Sequence, residues 1–179
     1  MQKNHYESAF EAFLRISNIP YFSNRQDFRN RFKNGSSLKN FDFVISLPQQ
    51  GNWIVDVKGR KFPGGSNKRH WKHWTTRDDL SGLLKWEKML GDQFRGLFVF
   101  AYQICDDISP LPVENLFAWK KQLYAFIGVE LHQYLGEVRL ISPQWQTYEM
   151  PIRRFKTVAR PFTDFISPEW FQKSKTNIP

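Results

Sequence analysis

Phe41-Asp42-Phe43-Val44-Ile45-Ser46 and Trp53-Ile54-Val55-Asp56-Val57-Lys58 are two apolar runs, each interrupted by an aspartate, with Pro48-Gln49-Gln50-Gly51-Asn52 between them. Both are rich in β-branched and aromatic residues and have the length of strands, so they read as an antiparallel hairpin. Strand neighbours alternate faces, which puts Asp56 and Lys58 on one face with Val57 opposite. Asp42, on the partner strand, then lies within reach of the same spot. Charges in an apolar strand are costly unless paired or coordinated. A divalent cation would compensate two carboxylates, and Mg²⁺ suits them, since it takes one or two carboxylates together with waters and substrate phosphate. Mn²⁺ is the expected substitute. An ion so held sharpens a bound water and neutralises charge developing on a phosphate. Lys58 would orient that water or stabilise the charged transition state. The competing reading is a plain salt bridge between Asp42 and Lys58, or one of these residues facing solvent.

Residues 5–17 predict an amphipathic helix. Tyr6, Ala9, Phe10, Phe13 and Leu14 fall on one face, with Asn4 as N-cap and Asn18 at the end. At about 100° per residue, Glu7 borders the apolar face and Glu11 lies further round, so Glu7 is the acid better placed to reach the sheet. It also has the spacing to complete the cap with Asn4. Ile19 to Phe22 reads as extended. Downstream, Thr76 with Asp79 resembles a capping box, and Leu80, Leu83, Leu84 and Leu90 give the following helix an apolar side that Gly91 ends. Residues 97–102 are apolar throughout, as in a strand covered on both faces. Residues 124–129 form a further strand candidate, and 130–136 and 151–159 are short helix candidates. Ile141-Ser142-Pro143-Gln144-Trp145 recurs as Ile166-Ser167-Pro168-Glu169-Trp170, and Ser-Pro is a common helix start. The order predicts an α/β sandwich with a mixed central sheet. Residues 1–165 read as one domain and 166–179 as a C-terminal tail.

The 179 residues carry a formal net charge of +9, which favours an acidic partner, with nucleic acid foremost. No apolar run is long enough for a membrane span. The first residues lack a signal-peptide pattern, and Cys105 is the one cysteine, so a reducing cytoplasm is the expected home. From Lys58 to Arg77 the chain holds Arg60, Lys61, Lys68, Arg69, Lys72 and Arg77 with no acid, interleaved with His70, Trp71, His73 and Trp74. Such cations neutralise phosphates. Exposed tryptophans stack on unpaired bases, though core packing is the alternative for Trp71 and Trp74. Arg25, Arg29 and Arg31 would extend the patch. Trp86, Trp119, Trp145 and Trp170 read as packing residues. There is no zinc spacing around His70 and His73, no base partner for Cys105 and no Gly-rich phosphate loop of the GxxxxGK[ST] kind.

His5-Tyr6-Glu7-Ser8-Ala9-Phe10-Glu11, Phe41-Asp42-Phe43 and Val55-Asp56-Val57-Lys58-Gly59-Arg60 together resemble the PD-(D/E)xK nuclease superfamily, close in pattern to archaeal Holliday-junction resolvases and restriction-endonuclease-like proteins. The first segment is also similar to the signature of a bacterial family named for its HYExAFE motif. The resemblance covers roughly residues 5–104. It implies a restriction-endonuclease-like αβββαβ core with a four-stranded mixed sheet flanked by helices. It implies a metal held by Asp42, Asp56 and the Val57 carbonyl, with Glu7 nearby and Lys58 at the water. The sequence departs from the pattern in having Phe41 in place of the proline and Asp56 where many members have Glu. The resulting expectation is a Mg²⁺-dependent endonuclease acting on structured DNA, working alone or as a homodimer. A non-catalytic nucleic-acid-binding module and an RNA-directed defence or toxin nuclease are the alternatives.

Overall fold

Asn4 opens the first helix as its position predicts. Its side-chain oxygen accepts from the Tyr6 and Glu7 N–H groups, and α1 runs His5–Ile16. Such a cap satisfies donors that have no partner inside the helix. Ala9, Phe10, Ala12 and Leu14 are its buried residues. Asn18, at φ 52, turns the chain into β1, Tyr21–Ser23. This computed structural model describes residues 4–23, 39–47, 51–63, 71–105 and 116–166.

The hairpin that the sequence predicts is present. β2 (Phe43–Leu47) pairs antiparallel with β3 (Gly51–Phe62), with Phe43 opposite Val55 and Leu47 opposite Gly51. The two-residue β4 (Thr75–Thr76) leads into α2, Arg77–Leu90. The expected capping box is there: Thr76 Oγ1 accepts from Asp79 N–H, and Thr76 N–H donates to the Asp79 carboxylate. Gly91, at φ 85, ends the helix. β5 (Phe94–Ile104) then lies parallel to β3, so α2 is the crossover between two parallel neighbours. The expected αβββαβ order is thus α1, β1, β2, β3, α2, β5.

The remaining described chain enlarges this core. β6 (Phe117–Trp119) and β7 (Gln122–Glu130) form a hairpin, and β7 pairs antiparallel with β5. α3 (Leu131–Leu135), β8 (Arg139–Ser142), β9 (Thr147–Glu149), α4 (Ile152–Val158) and β10 (Arg160–Pro161) follow, with a 3-10 turn at Phe162–Phe165. The main sheet has seven strands in the order β1-β2-β3-β5-β7-β10, with β6 also on β7, and β4-β9-β8 make a second, small sheet. Where the Ser-Pro of 142–143 suggested a helix start, the chain instead turns from β8 into β9. Gln146 takes a left-handed φ of 45 and donates through Nε2 to Pro143 O. The second Ser-Pro copy lies outside the described residues.

Strand alternation divides the core. Phe43, Ile45, Val55, Val57, Leu97, Val99 and Ala101 pack against α1. Phe98, Phe100, Tyr102, Ala125, Ile127 and Val129 pack against Leu80, Leu83, Leu131, Tyr134 and Phe155 on the other face. The stretch 97–102 is fully buried, as its continuous apolarity implies. The apolar side of α2 is rotated from the expected one. Asp79, Leu80, Leu83 and Trp86 are buried, whereas Leu84 and Leu90 are exposed. The rotation lets Trp86 donate through Nε1 to Lys39 O and pack on Phe41, and it turns Asp79 toward β3. Ile166, which the sequence places in the tail, is buried in the α1-side core. No helix among the described residues is long and apolar enough to cross a membrane.

α1 is set at its distance from β3 by a missing side chain. A Cβ on Gly59 would overlap the Tyr6 ring. Gly59→Ala is expected to destabilise the fold by about 1–3 kcal/mol, in the range of overpacked cores. A lower denaturant midpoint with an unchanged slope checks this, and an unchanged midpoint contradicts it.

Candidate active site

β2 begins one residue after Asp42, and that offset creates the site. The Asp42 N–H still donates to Val55 O at 2.9 Å, continuing the pairing with β3. Its carboxylate then turns back, and Oδ2 accepts from Val57 N–H at 2.7 Å. A side chain thus replaces the strand partner that β2 no longer supplies. The N–H and C=O of one strand residue face the same neighbour, so the Val57 carbonyl lies on the same edge as the Asp42 carboxylate.

Asp56 and Lys58 share the α2 face of β3, as alternation requires. Asp56 is 5% exposed. The Lys58 ammonium stands 2.7 Å from Asp56 Oδ2 and 2.8 Å from Asp79 Oδ1. Lys39 also pairs with Asp79 Oδ1. The other Asp79 oxygen accepts from Thr75 Oγ1 at 2.9 Å, Thr76 Oγ1 at 2.7 Å and Thr76 N–H at 2.9 Å. The expected alternative, a salt bridge between Asp42 and Lys58, is not what Lys58 makes. Its partners are Asp56 and Asp79.

The electrostatics follow this arrangement. Burial pushes the Asp42 carboxyl well above the usual range, and the charges of Asp56 and Glu7 add to the push, partly offset by Val57 N–H and Lys58. Burial also raises Asp56, against the opposing pull of Lys58. Burial would raise Asp79 too, but Lys58, Lys39 and the Thr76 N–H hold it well below the usual carboxylate range. Burial works against the Lys58 ammonium, yet Asp56 and Asp79 together raise its pKa.

Glu7 is half-buried and serves two ends. It accepts from the side chain of the cap residue, Asn4 Nδ2, at 2.5 Å, and its charge acts on Asp42. Glu11 instead accepts from the Tyr21 hydroxyl at 3.3 Å. The structure therefore gathers Glu7, Asp42, Asp56, Val57 and Lys58 around one edge of β3. It adds Asp79 and Lys39, which sequence reasoning did not place there. Asp79 was visible only as a cap, and nothing in its spacing from Lys58 signals their contact. Among the described residues no three His, Cys, Asp or Glu side chains are grouped tightly enough to enclose an ion. The donor set that fits a metal is two carboxylates, Asp42 and Asp56, with the Val57 carbonyl. That set suits a hard cation that retains waters.

The basic segment divides. Lys61 and Arg77 are exposed and Lys72 is half-buried, while Lys68 and Arg69, like Arg25, Arg29 and Arg31, lie outside the described residues. The Arg60 guanidinium stacks 3.9 Å over Trp74 and donates to Gly59 O at 2.7 Å and to Trp74 O. Trp71 is a core residue, stacked 4.2 Å from Phe62. His73 is buried, with Nδ1 2.6 Å from Trp71 O and Nε2 2.7 Å from Met150 O.

No family model matches the chain, and no curated protein matches it, so the resemblance to the HYExAFE family stands on its motif residues alone. Among solved structures the chain is similar to Hjc, a Holliday junction resolvase from the archaeal hyperthermophile Archaeoglobus fulgidus. The two are 9% identical, the match covers 89% of this chain and 91% of that one, and the TM-score is 0.48.

A raised carboxyl pKa in the folded state means that the folded form holds its proton more tightly than the unfolded one. Its contribution to stability is present below the ordinary carboxylate value and is lost as pH rises through the raised value. Asp79 has the opposite sign: its contribution is present at neutral pH and is lost as pH falls toward its depressed value. Asp42→Asn, measured in EDTA, is therefore expected to raise the denaturant midpoint at pH 8 and to do so progressively less as pH falls toward 4. A variant destabilised most at pH 8 would contradict the assigned repulsion.

Proposed function

We propose that this protein is a Mg²⁺-dependent nuclease that hydrolyses phosphodiester bonds within structured DNA, with Mn²⁺ able to substitute. The observation that supports the reading best is the pair Asp42 and Asp56. Two carboxylates are drawn together at one strand edge, both pushed above their ordinary range, beside a backbone carbonyl and a lysine. Structure stabilisation alone gives no reason to gather like charges there, whereas a divalent cation does. When bound, the ion would activate a water and neutralise charge on the phosphate.

The residues divide the remaining work. Asp42, Asp56 and the Val57 carbonyl hold the ion, and Glu7 adds negative charge at the rim. Lys58 is fixed by Asp56 and Asp79, so its ammonium donates to the attacking water or to the phosphate oxygen that gains charge, without reorganising. The water's oxygen forms the new bond to phosphorus as the bond to the leaving sugar oxygen breaks; the water's proton passes to solvent, and the leaving oxygen takes a proton from solvent. Asp79 is a positioning residue, holding Lys58 from the first turn of α2. Lys61, Lys72 and Arg77, with Arg60, Lys68 and Arg69 from the same segment, contact phosphates flanking the scissile bond. Cutting two strands of a symmetric substrate favours a homodimer.

One observation favours the second reading, a binding module without turnover. Lys58 is already engaged by Asp56 and Asp79, a state that needs no ion. The two readings part on metal-dependent turnover. Purified protein would be incubated with single-stranded, duplex and branched DNA and with RNA, in Mg²⁺, Mn²⁺ or EDTA. Cleavage is expected with either metal and not with EDTA, and it is expected to be lost in Asp56→Ala. Lys58→Ala should cut about 10²–10³-fold more slowly, the scale for removing one preorganised donor, while still binding metal. Tight binding of DNA with no cleavage in any metal would establish the second reading instead, and wild-type cleavage by Lys58→Ala would remove its assigned role.

A further inference from the structure

Trp145 was expected to be a packing residue, and the structure shows otherwise. It is 71% exposed, at the turn between β8 and β9. The other described tryptophans each have a ring or cation against them. Trp53 meets Phe165 and Arg95, Trp71 meets Phe62, Trp74 meets Arg60, Trp86 meets Phe41, and Trp119 meets Tyr124 and Lys120. Among the described residues Trp145 alone has neither.

The turn that carries it is braced rather than loose. Trp145 N–H donates to Ser142 Oγ at 3.4 Å, Trp145 O accepts from Thr147 Oγ1 at 3.3 Å, and Gln146 Nε2 donates to Pro143 O at 2.8 Å. The hairpin is also tied to the candidate active site. β9 pairs with β4, placing Thr147 opposite Thr76, and Arg77 N–H donates to Gln146 O at 2.9 Å. Thr75 and Thr76 are the residues that hold Asp79, and Asp79 holds Lys58. The indole is therefore carried on the turn that leads into the strand buttressing the start of α2, one residue from Gln146, whose carbonyl accepts from the Arg77 N–H.

We infer that Trp145 is a stacking platform for an unpaired nucleobase, so that the protein engages nucleic acid where bases are unstacked, as at a branch, gap or single-stranded end. The inference rests on the nucleic-acid reading above and specifies its substrate class. A flat apolar ring displayed in water, with no ring or cation of the described residues against it, matches a nucleobase, because every base offers a π-face. A paired duplex buries those faces within its own stack and leaves the indole nothing to cover. The net charge of +9 argues in the same direction, for a polyanion rather than an apolar protein surface.

The test is binding in EDTA, which separates it from turnover. Fluorescein-labelled single-stranded DNA and a fully paired hairpin of equal charge would be titrated with wild type, Trp145→Ala and Trp145→Phe. Because the side chain is exposed, neither substitution disturbs the core. Trp145→Ala is expected to weaken single-strand binding about tenfold, within the range for one stacked base, and to change hairpin binding less than about twofold. Trp145→Phe should recover most of the loss. Equal losses on both ligands, or none on the single strand, would overturn the inference. A fall in sedimentation coefficient of Trp145→Ala at matched concentration would overturn it too, since the indole would then serve a second copy of the chain. If the single-strand effect appears and no metal supports cleavage, the platform stands and the catalytic reading fails. If wild type binds neither ligand, both fail.

Discussion

The Lys58 ammonium, shared between Asp56 and Asp79, is the contact on which the rest of the site depends. It joins the middle of β3 to the first turn of α2, two elements that otherwise meet through apolar side chains. A buried ion group of this kind is costly to break from one side, on the order of 3–5 kcal/mol when a partner is removed. Through Asp79 it ties the capping box that begins α2, and β4 beside it, to β3. The hydroxyls of Thr75 and Thr76 complete the shell around Asp79, so the helix cap and the charge network are one structure.

The same network leaves an asymmetry. Around Asp79, positive charge and hydrogen bonds dominate and hold the carboxyl down. Around Asp42, one N–H from Val57 faces the charges of Asp56 and Glu7, and the carboxyl is pushed up. Two acids on neighbouring elements therefore titrate in opposite directions. The stabilised side is scaffold, and the strained side is where an added cation would lower the free energy. That division assigns roles to the acids by environment rather than by position in the chain.

Local pattern carried much of this into the sequence. β2, β3 and β5 are legible because period-two burial and continuous apolarity are properties of the strand itself. The cap at Asn4 and the box at Thr76 and Asp79 are legible because their spacing is fixed by one helical turn. The second role of Asp79 was hidden, since its contact with Lys58 depends on how α2 is rotated over the sheet. That rotation follows Trp86, which finds Lys39 O and Phe41, rather than Leu84 and Leu90. The β8–β9 hairpin was hidden for a related reason. Ser142-Pro143 is compatible with a helix start, and its turn is selected by the long-range pairing of β9 with β4. Trp71 and Trp74 show the limit of composition: three residues apart in a basic segment, one is core and the other a half-covered surface ring.

On the proposed reading, Asp42 and Asp56 are arranged for a divalent cation. The most direct measurement is the thermal midpoint at pH 8 as Mg²⁺ is raised, for wild type and Asp42→Asn in parallel. A ligand that binds the folded state stabilises it by about 2.7 kcal/mol at one hundred times its Kd. The wild-type midpoint should rise and saturate while that of Asp42→Asn stays flat from a higher starting value. Equal responses in the two proteins, or none in either, would mean that the carboxylates are gathered for some purpose other than holding a metal.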